Sequence, residues 1–316
     1  MVTTVGTGSR WWAVASAVVA VAVTVAALPA SAATSATENP APWNLDRIDQ
    51  AHRPLNGTYS YPASAGAGVY VFVLSTGINL EHVEFGGRAS FGANFVAGES
   101  SGDFNGSGTH LAGIVAGKTY GVAKRARVES VKISDRSGTA SWGRVINGLS
   151  WARGQVTAHH LRAVIILDVI GSHSQAVNDA ISSTVDAGVP VVVPAGNTAS
   201  DACTTSPGSA PSAITVGATN RQDERATFSN SGPCVDLFAP GQDVGAAANP
   251  NSSAYRSGTG SAAAHVAGEL ALALARYGNL SPVELIEHLL AIASYQVIGG
   301  TLLPDTPNRL LRTTHA

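Results

Sequence analysis

The amino-acid sequence predicts an α/β fold with a mostly parallel sheet between helices. Two observations carry this expectation. The runs Val69–Leu74, Ala126–Ile133, Ala163–Ile170, Val189–Ala195 and Ala213–Ala218 are rich in β-branched residues and apolar at consecutive positions. Strands of that kind need cover on both faces, as in parallel sheets. Helical patterns alternate with them at Thr109–Ala116, Trp142–Arg153, Gln175–Ala187, Ser261–Tyr277 and Pro282–Ala293, which is the order of layered α/β proteins. Ser281 before Pro282 and Glu284 is a helix start, a capping hydroxyl followed by proline at the first helical position. No internal repeat or low-complexity tract interrupts the pattern, so one α/β domain from about Ala41 to Ala316 accounts for it.

The flanking segments divide the chain further. Arg10 precedes an apolar run from Trp11 to Leu28, then Pro29 and the small-residue pattern Ala30-Ser31-Ala32. This reads as a secretory signal peptide over residues 1–33, with a membrane anchor as the alternative. The mature chain is then expected to be extracellular, with no membrane association after cleavage. Residues 34–67, rich in Pro, Asn, Ser and Gly and lacking a clear period, read as an extended N-terminal arm, and residues 68–316 as the body of the domain.

Hydrophobic residues make up 45% and charged residues 13% of the 316 residues, with 34 glycines. That balance excludes a disordered chain and suits a turn-rich globular one. A formal net charge of -2 gives no electrostatic reason to expect a nucleic-acid partner. Cys203 and Cys234 are the only cysteines. In an exported chain they read as one disulfide, the alternative being two buried thiols.

Four segments carry most of the functional information: Ser75-Thr76-Gly77-Ile78, Asn105-Gly106-Ser107-Gly108-Thr109-His110, Pro194-Ala195-Gly196-Asn197, and Ser257-Gly258-Thr259-Gly260-Ser261-Ala262-Ala263-Ala264-His265. In order and context they resemble the subtilisin-like serine peptidases, in particular the proteinase K and aqualysin branch. The likeness runs from about Ala41 to Arg312. It implies a subtilisin-like three-layer fold with a seven-stranded, mostly parallel sheet. It also implies that Cys203 and Cys234 are bridged, and that Phe104 and Arg136 stand where relatives carry a second disulfide.

By the same resemblance, Ser75 stands at the position of the catalytic aspartate, Ser107 at that of the histidine base and Gly260 at that of the serine nucleophile. Asn197 matches the side-chain donor to the oxyanion. A serine hydroxyl needs a neighbouring base to become nucleophilic, and none of these residues supplies the family's group at its family position. The sequence therefore predicts a catalytically inactive homologue that retains peptide or protein binding in a modified groove, and a monomer. The alternative is an active extracellular endopeptidase using displaced residues. Ser261, one residue past the nucleophile position, is one candidate, with small-residue helix packing as its plainer role, and His110 is expected to be a buried, hydrogen-bonded histidine. No propeptide domain resembling that of active relatives is evident, which fits the expectation of inactivity.

The groove implied by the resemblance is formed by Ser137, Gly138 and Thr139 on one edge and by Asp168, Val169, Ile170 and Gly171 on the other, with an aspartate in place of a family serine. Calcium is the implied cofactor. Asp236 with the carbonyls of Pro211 and Ala213 matches one site, and Asp46, Asp49, Gln50, Asn56 and Thr58 resemble another; such oxygen donors suit a hard cation.

Overall fold

The structure, a computed structural model, describes residues 1–3 and 35–314. The expected signal peptide lies outside the described residues. Residues 35–314 belong to one compact unit.

In chain order the elements begin with strand β1 (Ser35–Glu38), helix α1 (Trp43–Ile48), β2 (Tyr59–Pro62), β3 (Tyr70–Ser75), β4 (Ala89–Asn94), α2 (Ser107–Ala116), β5 (Arg127–Lys132), α3 (Trp142–Ala158), β6 (Ala163–Leu167) and β7 (Gly171–Ser172). There follow α4 (Gln175–Asp186), β8 (Val191–Pro194), a short 3-10 turn at Ala202–Thr204, β9 (Thr205–Ser206), β10 (Ile214–Thr219), β11 (Leu237–Pro240), β12 (Val244–Ala248) and β13 (Ser252–Arg256). The chain ends with α5 (Thr259–Tyr277), α6 (Pro282–Ile292), β14 (Ser294–Tyr295) and β15 (Arg309–Leu310).

The main sheet has the order β14-β15-β11-β10-β8-β6-β3-β5-β4. The run of seven strands from β11 to β4 is parallel throughout, as expected, and the two-residue strands β15 and β14 extend one edge to nine. Successive side chains of a strand point to opposite faces, and β3 illustrates the result. Val71 and Val73 join the core formed with α2, α5 and α6, whereas Phe72 and Leu74 join the core formed with α3 and α4. Both faces are therefore apolar, and this is why the strands read as continuous hydrophobic runs.

Helix α5 is buried from Thr259 to Leu274, a length that small side chains make feasible. A Cβ on Gly268 would come within 2.6 Å of Val122. Helix α6 begins as expected, Ser281 and Glu284 forming a reciprocal capping box with proline in the first turn. The segment expected to be an extended arm is instead integral to the core. Leu45, Ile48 and Tyr59 are fully buried, and buried Arg47 donates from Nε to Asp223 at 2.6 Å. A six-residue helix with only one and a half turns shows too little periodicity to be read from sequence.

Candidate active site

The C-terminal ends of adjacent parallel strands converge with the N-termini of two buried helices. Ser75 ends β3, and Asp168 follows β6, its backbone N–H donating to the carbonyl of Leu74 at 3.0 Å. Ser107 opens α2 and Gly260 is the second residue of α5. Gly106 enters α2 at φ 89°, a left-handed conformation that suits glycine.

These residues meet at one carboxylate. Asp168 Oδ2 accepts from Ser75 Oγ at 2.9 Å and from Ser107 Oγ at 3.0 Å. Its Oδ1 lies 2.5 Å from the place a Cβ on Gly260 would occupy. The three triad-equivalent positions, expected to have lost their catalytic groups, are thus brought together, and the group they surround is one that the sequence assigned to the groove wall. Burial pushes the Asp168 carboxyl above the ordinary range, opposed by the two serine hydrogen bonds and by the positive charge of Arg256. Ser75 is fully buried, while Ser107 and Asp168 remain partly exposed, so Ser107 is the hydroxyl that an external molecule can reach.

The loop before Ser107 is held by Asp103. Its Oδ1 accepts from Thr76 Oγ1 and from the backbone N–H groups of Asn105 and Gly106, and its Oδ2 from Thr109 through both N–H and Oγ1. This residue was not singled out from sequence, although its place two residues before Asn105, in a turn leading to a helix, is a signature of side-chain to backbone bonding. Asn197, exposed, accepts at Oδ1 from the N–H and the Oγ1 of Thr259, both at 2.9 Å. Its Nδ2 is left to donate outward beside the N-terminus of α5. His110 Nε2 faces the carbonyls of Val244 and Ala254, and burial lowers its pKa to about 4. It is the buried, hydrogen-bonded histidine expected. Ser261 is 5% exposed and makes no side-chain hydrogen bond to an acid or base among the described residues.

A cleft of about 580 Å³ leads to Asp168, lined on one edge by Gly138, Thr139, Ala140, Ser141 and Trp142 and on the other by Asp168, Val169, Ile170, Gly171 and Ser172. Of the groove residues named from sequence, only Ser137 lies outside it; its hydroxyl donates to Asp135 Oδ1, which ties the 135–139 turn. The edge containing Val169 does not continue β6 to residue 170 as the apolar run suggested, because the chain turns at Asp168 into the short β7–β9 pair. Cys203 and Cys234 are bridged. Phe104 and Arg136 touch, the guanidinium lying 5.3 Å from the ring centroid.

The geometry of Gly260 gives a direct prediction. Gly260→Ser forces its Cβ against Asp168 Oδ1 and is expected to lower stability by about 1–3 kcal/mol, as overpacking does. Adding Asp168→Ser should relieve most of that cost, and denaturant midpoints of the single and double variants measure both effects.

The Subtilase family model matches residues 66–309. The chain belongs to the subtilase family. It is 46% identical over 282 residues to the "Extracellular serine proteinase" of Thermus sp. (strain Rt41A), covering 88% of this chain and 67% of that protein. It is 40% identical to "Alkaline protease 1" of Aspergillus clavatus, covering 87% and 68%. The crystal structure of a cold adapted subtilisin-like serine proteinase superposes with a TM-score of 0.83 at 39% identity, covering 88% of this chain and all of that one. The subtilase thus spans about two thirds of the length of these curated relatives.

These relatives correct the expectation of an inactive homologue, because the proteins that most of this chain matches are named serine proteinases or proteases. The physical reason for the correction lies in counting side chains position by position along the sequence. Ser75, Ser107 and Gly260 each lack the family's group, yet in the folded subtilase they enclose a carboxylate delivered from a different strand.

Proposed function

We propose that this subtilase is an extracellular serine endopeptidase in which Ser107 is the nucleophile and Asp168 its base. The observation that carries this reading is the 3.0 Å hydrogen bond from Ser107 Oγ to Asp168 Oδ2 beside the cleft. Attack of Oγ on the scissile carbonyl carbon forms the new C–O bond, and the hydroxyl proton passes to Asp168. The carbonyl electron pair moves to oxygen, where Asn197 Nδ2 donates. Collapse of the adduct expels the amine, which takes the proton from Asp168, and water hydrolyses the acyl-enzyme by the same route. Ser75 holds the carboxylate from its buried side. A carboxylate is a weaker base than imidazole, so burial that raises its proton affinity favours this role.

Hydrolysis of a denatured protein and of quenched fluorogenic peptides tests the assignment. Activity is expected to vanish in Ser107→Ala and to persist in Ser261→Ala. The reverse pattern would contradict it. Secretion is part of the proposal, supported by the extracellular relative and by the N-terminal pattern; no helix among the described residues is long and apolar enough to cross a membrane.

Calcium binding at Asp236 also belongs to this reading. Its Oδ2 accepts from the Thr215 N–H at 2.8 Å, and among the described residues no hydrogen bond is made to its Oδ1, so one oxygen is left for a cation together with the carbonyls of Pro211 and Ala213. The second set fits less well. Both oxygens of Asp46 are taken by the N–H groups of Asn56 and Gly57, Asn56 Oδ1 holds Thr58, and Gln50 Nε2 donates to the carbonyls of His52 and Pro54. Only Asp49 Oδ1 is buried without a partner there.

Burial raises the Asp236 pKa from 3.8 to about 6. A raised carboxylate costs nothing while protonated in both states, and it destabilises the metal-free fold progressively as pH rises from 3.8 to about 6. Calcium should offset that cost. Calcium at about 100 times its dissociation constant is expected to stabilise the fold by about 2.7 kcal/mol. The effect should fade below pH about 6 and disappear in Asp236→Asn. Melting temperatures in calcium and in chelator, across that pH range, check this.

A further inference from the structure

Arg256, the last residue of β13, reaches the other flank of Ser107. Its Nη2 donates to the carbonyl of Asn105 at 3.0 Å. The same nitrogen lies 2.7 Å from where a Cβ on Gly106 would be. The guanidinium is therefore packed against the two residues that precede Ser107, and a larger residue than glycine at 106 would displace it. The side chain is only partly exposed, and none of the ion pairs among the described residues uses it. Glu99 is already engaged by Lys132 and Arg136, and Asp103 by Thr76, Thr109 and backbone N–H groups. The positive charge of Arg256 acts on Asp168, and no ion pair among the described residues joins the two.

The cleft that ends at Asp168 contains neither Asn105 nor Arg256 among its lining residues. A peptide that lies in the cleft, places a bond at Ser107 and continues along Asn105 and Gly106 comes into reach of the guanidinium. Hydrogen bonds between a guanidinium and a carboxylate are charge-assisted and often bidentate.

We propose that Arg256 is a specificity-determining residue that selects peptides bearing a carboxylate on the segment beyond the cleft, supplied by an acidic side chain or by a free C-terminus. This inference rests on the placement of the reacting bond at Ser107 given above. It makes the subtilase discriminate by charge rather than by shape at this flank of Ser107.

Fluorescence anisotropy with labelled peptides bound to the Ser107→Ala chain tests it without requiring turnover. Four peptides share one sequence and differ only beyond the cleft: glutamate or glutamine at the first position past the bond, each with a long amidated tail, and a short tail ending in a free carboxylate or in an amide. The glutamate peptide is expected to bind about tenfold more tightly than the glutamine peptide at low ionic strength, a ratio that corresponds to about 1.4 kcal/mol. The ratio should fall with added salt, approach one in Arg256→Gln and recover in part in Arg256→Lys. If the free terminus is the preferred source, the acid and amide tails will differ more than glutamate and glutamine do. Equal binding within both pairs, or a preference that survives Arg256→Gln, would overturn the proposal while leaving Ser107 as nucleophile untouched. Absence of saturable binding by all four peptides would overturn this inference and the endopeptidase reading together.

Discussion

Replacing Asp168 by asparagine is expected to lower turnover by about 10²–10⁴, the contribution of a positioned general base. The amide keeps the shape of the carboxylate and can still bond Ser75 and Ser107, but it cannot take a proton from Oγ. Substrate affinity should change far less than turnover, because the cleft walls at Gly138–Trp142 and Val169–Ser172 are untouched. The pH profile supplies the sign. A base works deprotonated, so activity in the parent chain should be lost as pH falls through the Asp168 pKa, which burial displaces upward from the ordinary aspartate range. That acidic limb should be missing from the residual activity of Asp168→Asn. A fall in turnover below tenfold would remove Asp168 from the mechanism.

The second large effect is on stability. Asp223→Ala should cost about 3–5 kcal/mol, because removing one partner of a buried ion pair leaves the other charge uncompensated. Arg47 is fully buried, its Nε bonded to Asp223 at 2.6 Å and its Nη1 to the carbonyl of Gln50 at 2.8 Å, while its Nη2 is already without a partner. The loss would appear as a lower denaturant midpoint with an unchanged slope. Replacing Arg47 and Asp223 together by apolar residues of similar volume should recover much of it. A loss under 1 kcal/mol for Asp223→Ala alone would show that the segment before residue 68 adds little to the fold.

What sequence made legible follows from periodicity and from local chemistry. The five strand runs recognised in sequence correspond to β3, β5, β6, β8 and β10, the strands covered on both faces. Of the elements it missed, β11 is a buried run of only four residues ending in proline, and others lack that signature altogether. Strand β4 reads Ala-Ser-Phe-Gly-Ala-Asn at the sheet edge, and β12 and β13 form an outlying hairpin rich in alanine and serine. The helix starts at Ser107 and Thr259 were placed two residues late, since glycine caps without side-chain bonds leave no polar signal.

At the site, the motifs named positions that the fold brings together, but not the hydrogen bonds that join them. Ser75, Ser107 and Gly260 were identified from separate segments, and Asp168 from a fourth, yet a hydrogen bond between residues 61 apart in the chain has no trace in local sequence. One clue was available. A glycine where the family has a side chain and an aspartate where it has a serine are complementary in volume, and the 2.5 Å spacing shows that the two changes occupy the same space.

Covalent trapping identifies Ser107 as the nucleophile by the position of the modified residue. The purified chain, incubated with a fluorophosphonate probe and digested, is examined by mass spectrometry for the site of the adduct. A single adduct is expected on the peptide carrying Ser107, formed more slowly in Asp168→Asn and absent in Ser107→Ala. An adduct on Ser261 or Ser75, or an intact folded chain that takes up no probe at all, would contradict it.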